Sequence, residues 1–479
     1  MKFQSGLIIV LSIIVSSCQD RAKNGVPDVN GVWESVGSGW ILQIKDSTNY
    51  SFYDITSISC LPSHSGRFEE ISESLTLLND TLSLQKGVIT YKFVTRSKMP
   101  ELCQNLPDDA LRNDPVYNFE VFSETVKEHY AFFKKNHLDW NTVYAKQREK
   151  ITAHTTPIEL YGVIEETLEI LKDNHAFLEA DEALDEMMAN LPAVEEETIG
   201  NVTLPEYGDF VVADLVTEHH LLEEMTQDSW LIRWGKLTDQ LGYIQVKAMW
   251  LYADLNVPKA LVDTLGFVDA YIETFYQLYE GNYIDKEVLG VRKIMDHVMN
   301  DLSGMEAMII DLRFNGGGQD AVSFEILSRF IPYDKFQVAT QKLRTGDSYS
   351  SVLPLYIEGS KNAYTKPTYL LTSQQTGSAA EAFAIATLSL KPIQRIGAPT
   401  SGAMSTALEK TLPNGWAFAI SNEVYMDNNG INYENAGIPV DYSLNYPKDR
   451  QEFFRSVVND LEGDKESILH AIIELRSKE

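Results

Sequence analysis

Ser378 is the first residue whose setting suggests chemistry. The run Thr368-Tyr369-Leu370-Leu371-Thr372 is apolar and β-prone, which predicts a buried strand. Ser373-Gln374-Gln375-Thr376-Gly377 reads as a turn, and Ala379, Ala380, Ala382 and Ala384 open a helix. A serine at a helix start has two plausible jobs. It can cap the helix, a purely structural role. It can also attack a carbonyl, with the Ala379 amide and the helix dipole facing the developing oxyanion. Gly377 would let a substrate approach closely. The local pattern leaves both readings open. As a nucleophile, the hydroxyl would need a neighbouring base.

Two other elements invite the same question. Asp311-Leu312-Arg313-Phe314-Asn315-Gly316-Gly317-Gly318 ends a buried strand in three glycines. Such a loop can present free N–H groups to an anion, or simply turn the chain tightly. A polyphosphate loop would continue with Gly-Lys-Ser/Thr, whereas Gln319-Asp320 follow here. Lys172-Asp173-Asn174-His175 supplies a histidine just past an amphipathic helix. It is one of nine histidines, and spacing alone does not single it out.

Together these stretches resemble the C-terminal processing (tail-specific) peptidases, and more closely the tricorn-core branch of that serine peptidase family. The resemblance covers residues 117–445. It also rests on Gly397-Ala398-Pro399-Thr400-Ser401-Gly402 and Asn435-Ala436-Gly437-Ile438-Pro439-Val440-Asp441. In the processing-peptidase branch a lysine follows the Gly-x-Pro-Thr-x-Gly stretch; here that position is Ala403, and neither Lys391 nor Lys410 matches it. The tricorn-like branch takes its base from a histidine after the helical region. Leu171-Lys172-Asp173-Asn174-His175 matches that stretch, with Asn174 where the branch has a small residue. The same branch uses a glutamate just before the closing motif, where Glu434 stands.

The resemblance thus implies Ser378 as nucleophile, His175 as base and Glu434 as the residue orienting the imidazole, directly or through an intermediary. It implies an oxyanion hole from the amides of Ala379 and of Gly317 or Gly318, and no metal or cofactor. Processing peptidases often carry a PDZ domain, for which the stretch 181–230 leaves too little room.

These residues need a scaffold. The expected fold is α+β and multidomain: a small N-terminal antiparallel β domain, a helical subdomain, and a crotonase/ClpP-like α/β catalytic core, the last implied by the resemblance. Alternating segments at Trp40–Ile44, Ser74–Leu77, Thr81–Leu84 and Val88–Phe93, with turns at Asn79-Asp80 and Lys86-Gly87, predict the β domain over residues 28–100, with a barrel as one form. Pro100 to Pro115 reads as a linker. Phe119, Phe122, Val126, Tyr130 and Phe133, then Leu160, Val163, Ile164, Leu168 and Leu171, recur at helical spacing and predict a subdomain over 116–180. Strand–helix alternation predicts the core over 230–450, with strands at Leu241–Val246 and Ala307–Leu312 and helices over 285–302 and from near Ala321. A C-terminal helix is expected over 451–479.

Bulk properties narrow the partners. The chain has 479 residues, with 40 Lys plus Arg against 69 Asp plus Glu, a formal net charge of −29. So acidic a surface repels phosphate backbones and argues against nucleic acid. Lys2, the apolar run Leu7–Val15 and Ser16-Ser17-Cys18 read as a lipoprotein signal peptide over residues 1–18, with Cys18 lipidated after cleavage. The apolar run would measure about 14 Å as a helix, at ~1.5 Å per residue, against a hydrocarbon core of about 30 Å. Cys60 and Cys103 remain, either paired or as two buried thiols.

The expected protein is therefore an exported serine peptidase acting on peptides or unfolded proteins. It would be anchored by lipid in a bacterial cell envelope, facing the periplasm or exterior. Two alternatives carry the same core: a catalytically silent cell-surface binding lipoprotein, and an acyl-CoA enzyme, against which the secretion signal argues. Oligomeric state is not legible.

Overall fold

The computed structural model describes residues 28–189, 204–277 and 283–478. The signal segment with Cys18 and the acidic run Val194–Glu197 lie outside the described residues.

The first unit is a seven-stranded antiparallel sheet. Its strands lie in the order Cys60–Arg67, Asn49–Ile55, Trp40–Lys45, Gly31–Ser35, Ile89–Arg96, Thr81–Lys86 and Leu75–Leu78. Alternation drives it: Leu82 and Leu84 point inward with Trp33, Leu42, Ile44, Tyr50 and Phe93, while Thr81 and Ser83 keep some solvent contact. Asn79 and Gly87 take φ of 54° and 56° at the two expected hairpin turns. The first strand pairs with the last, Gly31–Ser35 with Ile89–Arg96, so the strands follow in cyclic order, and the sheet stays open between Cys60–Arg67 and Leu75–Leu78, which no pairing joins among the described residues. Cys60 and Cys103 are disulfide-bonded, pinning the Cys60–Arg67 edge strand to the segment that follows the sheet. That segment, expected as a plain linker, contains two short helices, Glu101–Gln104 and Asp109–Arg112.

Three helices come next: Pro115–His129, Trp140–Arg148 and Pro157–Leu171. Phe119, Phe122, Val126, Leu160, Ile164, Leu168 and Leu171 form their shared core. A Thr156–Glu159 capping box starts the last helix, and Lys172, in left-handed conformation, ends it.

The core is a mixed seven-stranded sheet in the order Tyr442–Ser443, Ile393–Gly397, Thr368–Thr372, Ala307–Asp311, Leu241–Val246, Ile232–Lys236 and Glu223–Glu224. Pairings from Leu241–Val246 through to Tyr442–Ser443 are parallel, and the last two strands are antiparallel. Helices Asp320–Ser328 and Ala379–Thr387 pack on each other after their strands. Outside the sheet, the hairpin of Ala407–Thr411 and Ala417–Ser421 is joined at its edge by Phe177–Glu179, from just beyond the helical region.

The expected C-terminal helix is two helices, Arg450–Asn459 and Leu461–Arg476. Asp460 breaks the run at φ −146°, ψ 63°, and its carboxylate accepts from Gly463 N at 3.0 Å. The second helix is locked to the core by a fully buried Arg313, which donates to Asp311, Asp464 and the Tyr446 hydroxyl.

Candidate active site

Two loops meet at the carboxyl ends of the neighbouring parallel strands Ala307–Asp311 and Thr368–Thr372, where open α/β sheets place their sites. Their contact is built from turn residues. Thr376 Oγ1 donates to Leu312 O at 2.8 Å, Ser373 Oγ to Arg313 O at 2.6 Å, and Gly377 N to Asn315 O at 3.1 Å. Ser378 therefore stands directly over the glycine loop. A Cβ on Gly317 would lie 2.6 Å from Ser378 Cβ and 3.0 Å from Ala379 N.

Ser378 adopts φ 51°, ψ −123°, and its side chain makes no capping hydrogen bond to the helix it precedes. The capping reading left open by the local pattern is thus not what this serine does. A non-glycine residue at positive φ is strained and needs surrounding structure to hold it. Ser378 N–H donates to Ala403 O at 3.0 Å, one of the contacts that hold it.

His175 Nε2 lies 3.2 Å from Ser378 Oγ, although 203 positions separate the two residues. Two features place the imidazole. The strand Phe177–Glu179 pairs with Ala417–Ser421, fixing the chain on one side. Asp173 folds the approach: its carboxylate accepts from His175 N at 3.0 Å and from Ser421 N and Oγ at 2.6 Å each. Burial lowers the imidazole pKa below its ordinary value, partly opposed by the Asp173 charge. Nδ1 is buried without a hydrogen-bond partner among the described residues.

Glu434 is buried nearby but makes no hydrogen bond to His175 among the described residues. Its Oε2 accepts from Met404 N and Ser405 N, both at 3.1 Å. Burial, with Glu381 and Asp173 nearby, pushes its carboxyl up to about 8. Of the two routes expected for Glu434, direct or through an intermediary, no direct hydrogen bond to the imidazole is present among the described residues, and its carboxyl grips the segment that receives the Ser378 amide.

The amides of the glycine loop are not equivalent. Gly317 N–H donates to Asn315 Oδ1 at 2.9 Å, so it is already committed. Asn315 is itself fixed by donating from Nδ2 to Val246 O at 3.0 Å. Ala379 N–H and Gly318 N–H donate to no acceptor among the described residues. Of the two glycine amides expected as alternatives, Gly318 is the free one.

Sequence reasoning passed over two carboxylates. Asp173 was read only as part of the histidine stretch; the Asp-x-His spacing, which lets an Asp accept from the amide two residues on, was its available signal. Glu381 lies in the first turn of the Ser378 helix and is fully buried. It accepts from Thr400 Oγ1, Ser401 Oγ, Gly402 N and Ala403 N at 2.6–2.9 Å. It clamps the Gly397–Gly402 stretch against the Ser378 helix, which explains why those motifs occur together. Lys410 has a different role altogether: it is buried against Asp54 of the N-terminal sheet, Nζ to Oδ1 2.6 Å. Ser378 opens onto a cleft of 590 Å³ whose lining includes Phe210, Lys247, Trp250, Phe314 and Gln375.

Residues 240–444, spanning both loops, match the profile of Peptidase family S41, and residues 112–169 match the Tricorn protease C1 domain. The part of the chain that carries Ser378 therefore matches an S41 peptidase. Among solved structures, this chain is similar to a putative peptidase from Parabacteroides merdae, at 18% identity and a TM-score of 0.51. That match covers 73% of this chain and 97% of the other. It is also similar to mature CPAF, at 11% identity and a TM-score of 0.51, covering 76% of this chain and 98% of that one. At these identities the likeness concerns the fold: a mixed α/β peptidase architecture. The S41 match implies a peptide or protein substrate.

Proposed function

We propose that this chain cleaves peptides or unfolded proteins outside the cytoplasm, with Ser378 as nucleophile and His175 as general base. The observation that carries the reading is the 3.2 Å approach of His175 Nε2 to the hydroxyl of a serine held at φ 51° and spared from capping. Ser378 Oγ attacks the scissile carbonyl carbon as its proton passes to Nε2. The oxyanion formed faces the free amides of Ala379 and Gly318. His175 then protonates the leaving amine, and water, deprotonated by the same imidazole, releases the acyl group from Ser378. Glu434 acts as a positioning residue, holding the 404–405 amides beside the acceptor of Ser378 N–H. Asp173 orients the histidine turn and favours its charged form. The export route belongs to this proposal too: a signal peptide over residues 1–18 and a lipid on Cys18. The Cys60–Cys103 disulfide supports an oxidising compartment.

The test is Ser378→Ala, compared with wild type on casein and on fluorogenic peptides, alongside labelling by an active-site serine probe. Turnover should fall by about 10⁴-fold or more with folding intact. Cleavage by the alanine variant at the wild-type rate would remove Ser378 from the mechanism.

A further inference from the structure

The mechanism above uses the cleft at Ser378 only at its reacting end. At 590 Å³ the cleft lies within the range of ligand pockets, about 300–1,000 Å³. One wall is the segment Ala248–Trp250, which runs beside the glycine loop as a short added strand. Met249 N donates to Gly317 O and Gln319 N to Met249 O, both at 2.8 Å, around a parallel bridge between Met249 and Gly318. Alternation along this segment sends Met249 into the core and leaves Ala248 and Trp250 on the cleft. Trp250 stands close to the reacting atoms: a Cβ on Gly318, which carries the free amide, would lie 3.0 Å from Trp250 Cβ. Trp250 is half-buried and Gly318 exposed, so the wall is open to a substrate.

This wall is held from behind. Leu251 takes φ 70°, a strained conformation for a non-glycine residue. Just beyond it, Tyr252 N donates to Oε2 of the buried Glu287 at 2.6 Å, and the Tyr252 hydroxyl donates to Ala248 O at 2.7 Å. The Trp250 ring packs edge-on against Phe275, with centroids 5.6 Å apart. Two more aromatics line the cleft. Phe314, just before the glycines, is buried and stacks on Phe453 at 5.6 Å. Phe210, half-buried in the first turn of the helix Asp209–His220, leans on Trp230 at 5.9 Å. The charged side chains of this lining are already paired, Lys247 with Asp214 at 2.5 Å and Arg450 with Asp209. A charged substrate group would enter with no counter-charge waiting for it, whereas an apolar one would exchange water for aromatic walls.

We propose that Trp250, Phe210 and Phe314 form a subsite for a large apolar side chain, aromatic or long aliphatic, on the substrate residue next to the scissile bond. The proposal rests on the peptidase reading of Ser378 and names the substrate class of that site. Trp250 is its specificity-determining residue, because the Leu251 turn and the contact with Gly318 fix it beside the reacting carbonyl. Large apolar side chains are mostly buried in folded proteins. The subsite therefore favours unfolded chains, which expose them.

The experiment uses two series of peptides, in which the residue before or after the scissile bond is Phe, Leu, Ala, Glu or Lys. In one of the series wild type should favour Phe and Leu over Ala, Glu and Lys by about tenfold or more in kcat/KM. Trp250→Ala should reduce the Phe-to-Ala ratio by about tenfold, and Trp250→Phe should retain most of it. The ratio is the readout, because a general loss of structure lowers both rates together. Phe210→Ala, on the opposite side of the cleft, should lower the same ratio and serves if Trp250→Ala does not fold. No apolar preference in either series, or a ratio unchanged by these alanine substitutions, would overturn the subsite. Calorimetric titration tests it without turnover. Ser378→Ala protein should bind the Phe peptide more tightly than the Ala peptide, a difference that Trp250→Ala removes. Equal binding of the two peptides also overturns the subsite. Failure of the serine probe to label Ser378, with Phe-selective binding retained, would sink the nucleophile assignment and leave the subsite standing.

Discussion

The catalytic proposal turns on which protonation state His175 keeps. To accept the Ser378 proton the imidazole must be neutral, so activity is lost as pH falls through its pKa in the folded enzyme. Burial sets that pKa below 6.5, with Asp173 opposing only in part. The acid limb of kcat/KM should therefore lie below pH 6.5. Glu434 gives the contrasting outcome: its carboxyl titrates near 8, so a mechanism needing it ionised would show its limb there instead. A pH–rate profile of wild type and Glu434→Gln separates the two, and a wild-type limb near pH 8 that disappears in the variant would reassign the rate-controlling group. At this scale Ser378, His175 and Glu434 were legible as candidates from their motifs. Glu381 was not, because its four donors come from a segment about twenty residues further on and nothing local demands a buried carboxylate there.

Elements bring these residues together through loops more than through regular structure. The glycine loop is a case in point. Gly317 takes φ 113° with its Cα facing Ser378, so no other residue fits. Gly317→Ala should push the loop from Ser378 and misplace the Gly318 amide, lowering kcat by roughly 10²-fold or more while the fold survives. Steady-state kinetics with circular dichroism would check this, and an alanine variant with wild-type kcat would show that the loop does not carry the oxyanion. The strand Phe177–Glu179 was not foreseen as a strand; its three residues carry too little pattern, and it exists because Ala417–Ser421 offers it an edge. The break at Asp460 was missed similarly, since the apolar spacing continues across it.

For the whole molecule, the N-terminal sheet is fastened to the peptidase core. Asp54 meets Lys410 in a buried ion pair, and Lys410 Nζ also donates to Gly39 O at 3.0 Å. Asn422 and His129 both reach Gly37 O, at 2.8 and 3.0 Å. Asn422 follows Ser421, which grips Asp173, so the sheet braces the same hairpin that holds the histidine turn. Asp54→Ala leaves the Lys410 charge buried without its partner and should cost about 3–5 kcal/mol in chemical denaturation. A loss within ~0.5 kcal/mol would mean the two units are joined loosely. The proposed anchor makes a separate prediction: Cys18→Ser should move the protein from membrane to soluble fraction, or leave the precursor unprocessed, with peptidase activity retained. An unmodified N-terminus elsewhere than Cys18, in protein from the native host, would rule out the lipid.

What the sequence determined by itself is local or periodic. Alternation specified the N-terminal strands, helical spacing specified Pro115–His129 and Pro157–Leu171, and an apolar run ending in small residues specified the Thr368–Thr372 strand and the Ser378 helix. Each follows from short-range sterics and burial on one face, which neighbouring residues encode. Motif pairs in the Ser378 and glycine stretches also pointed to an S41-like core. What only the tertiary structure decided needs contacts between distant segments. It brought His175 to 3.2 Å from Ser378, and it fixed Asn315 on Val246 O, so that Asn315 Oδ1 takes the Gly317 amide and Gly318 is left free. It set Glu434 on the 404–405 amides rather than on the imidazole. Hydrogen-bond partners within a few ångströms but some 200 positions apart leave no trace in spacing, because the chain path between them, not the residues themselves, sets their distance.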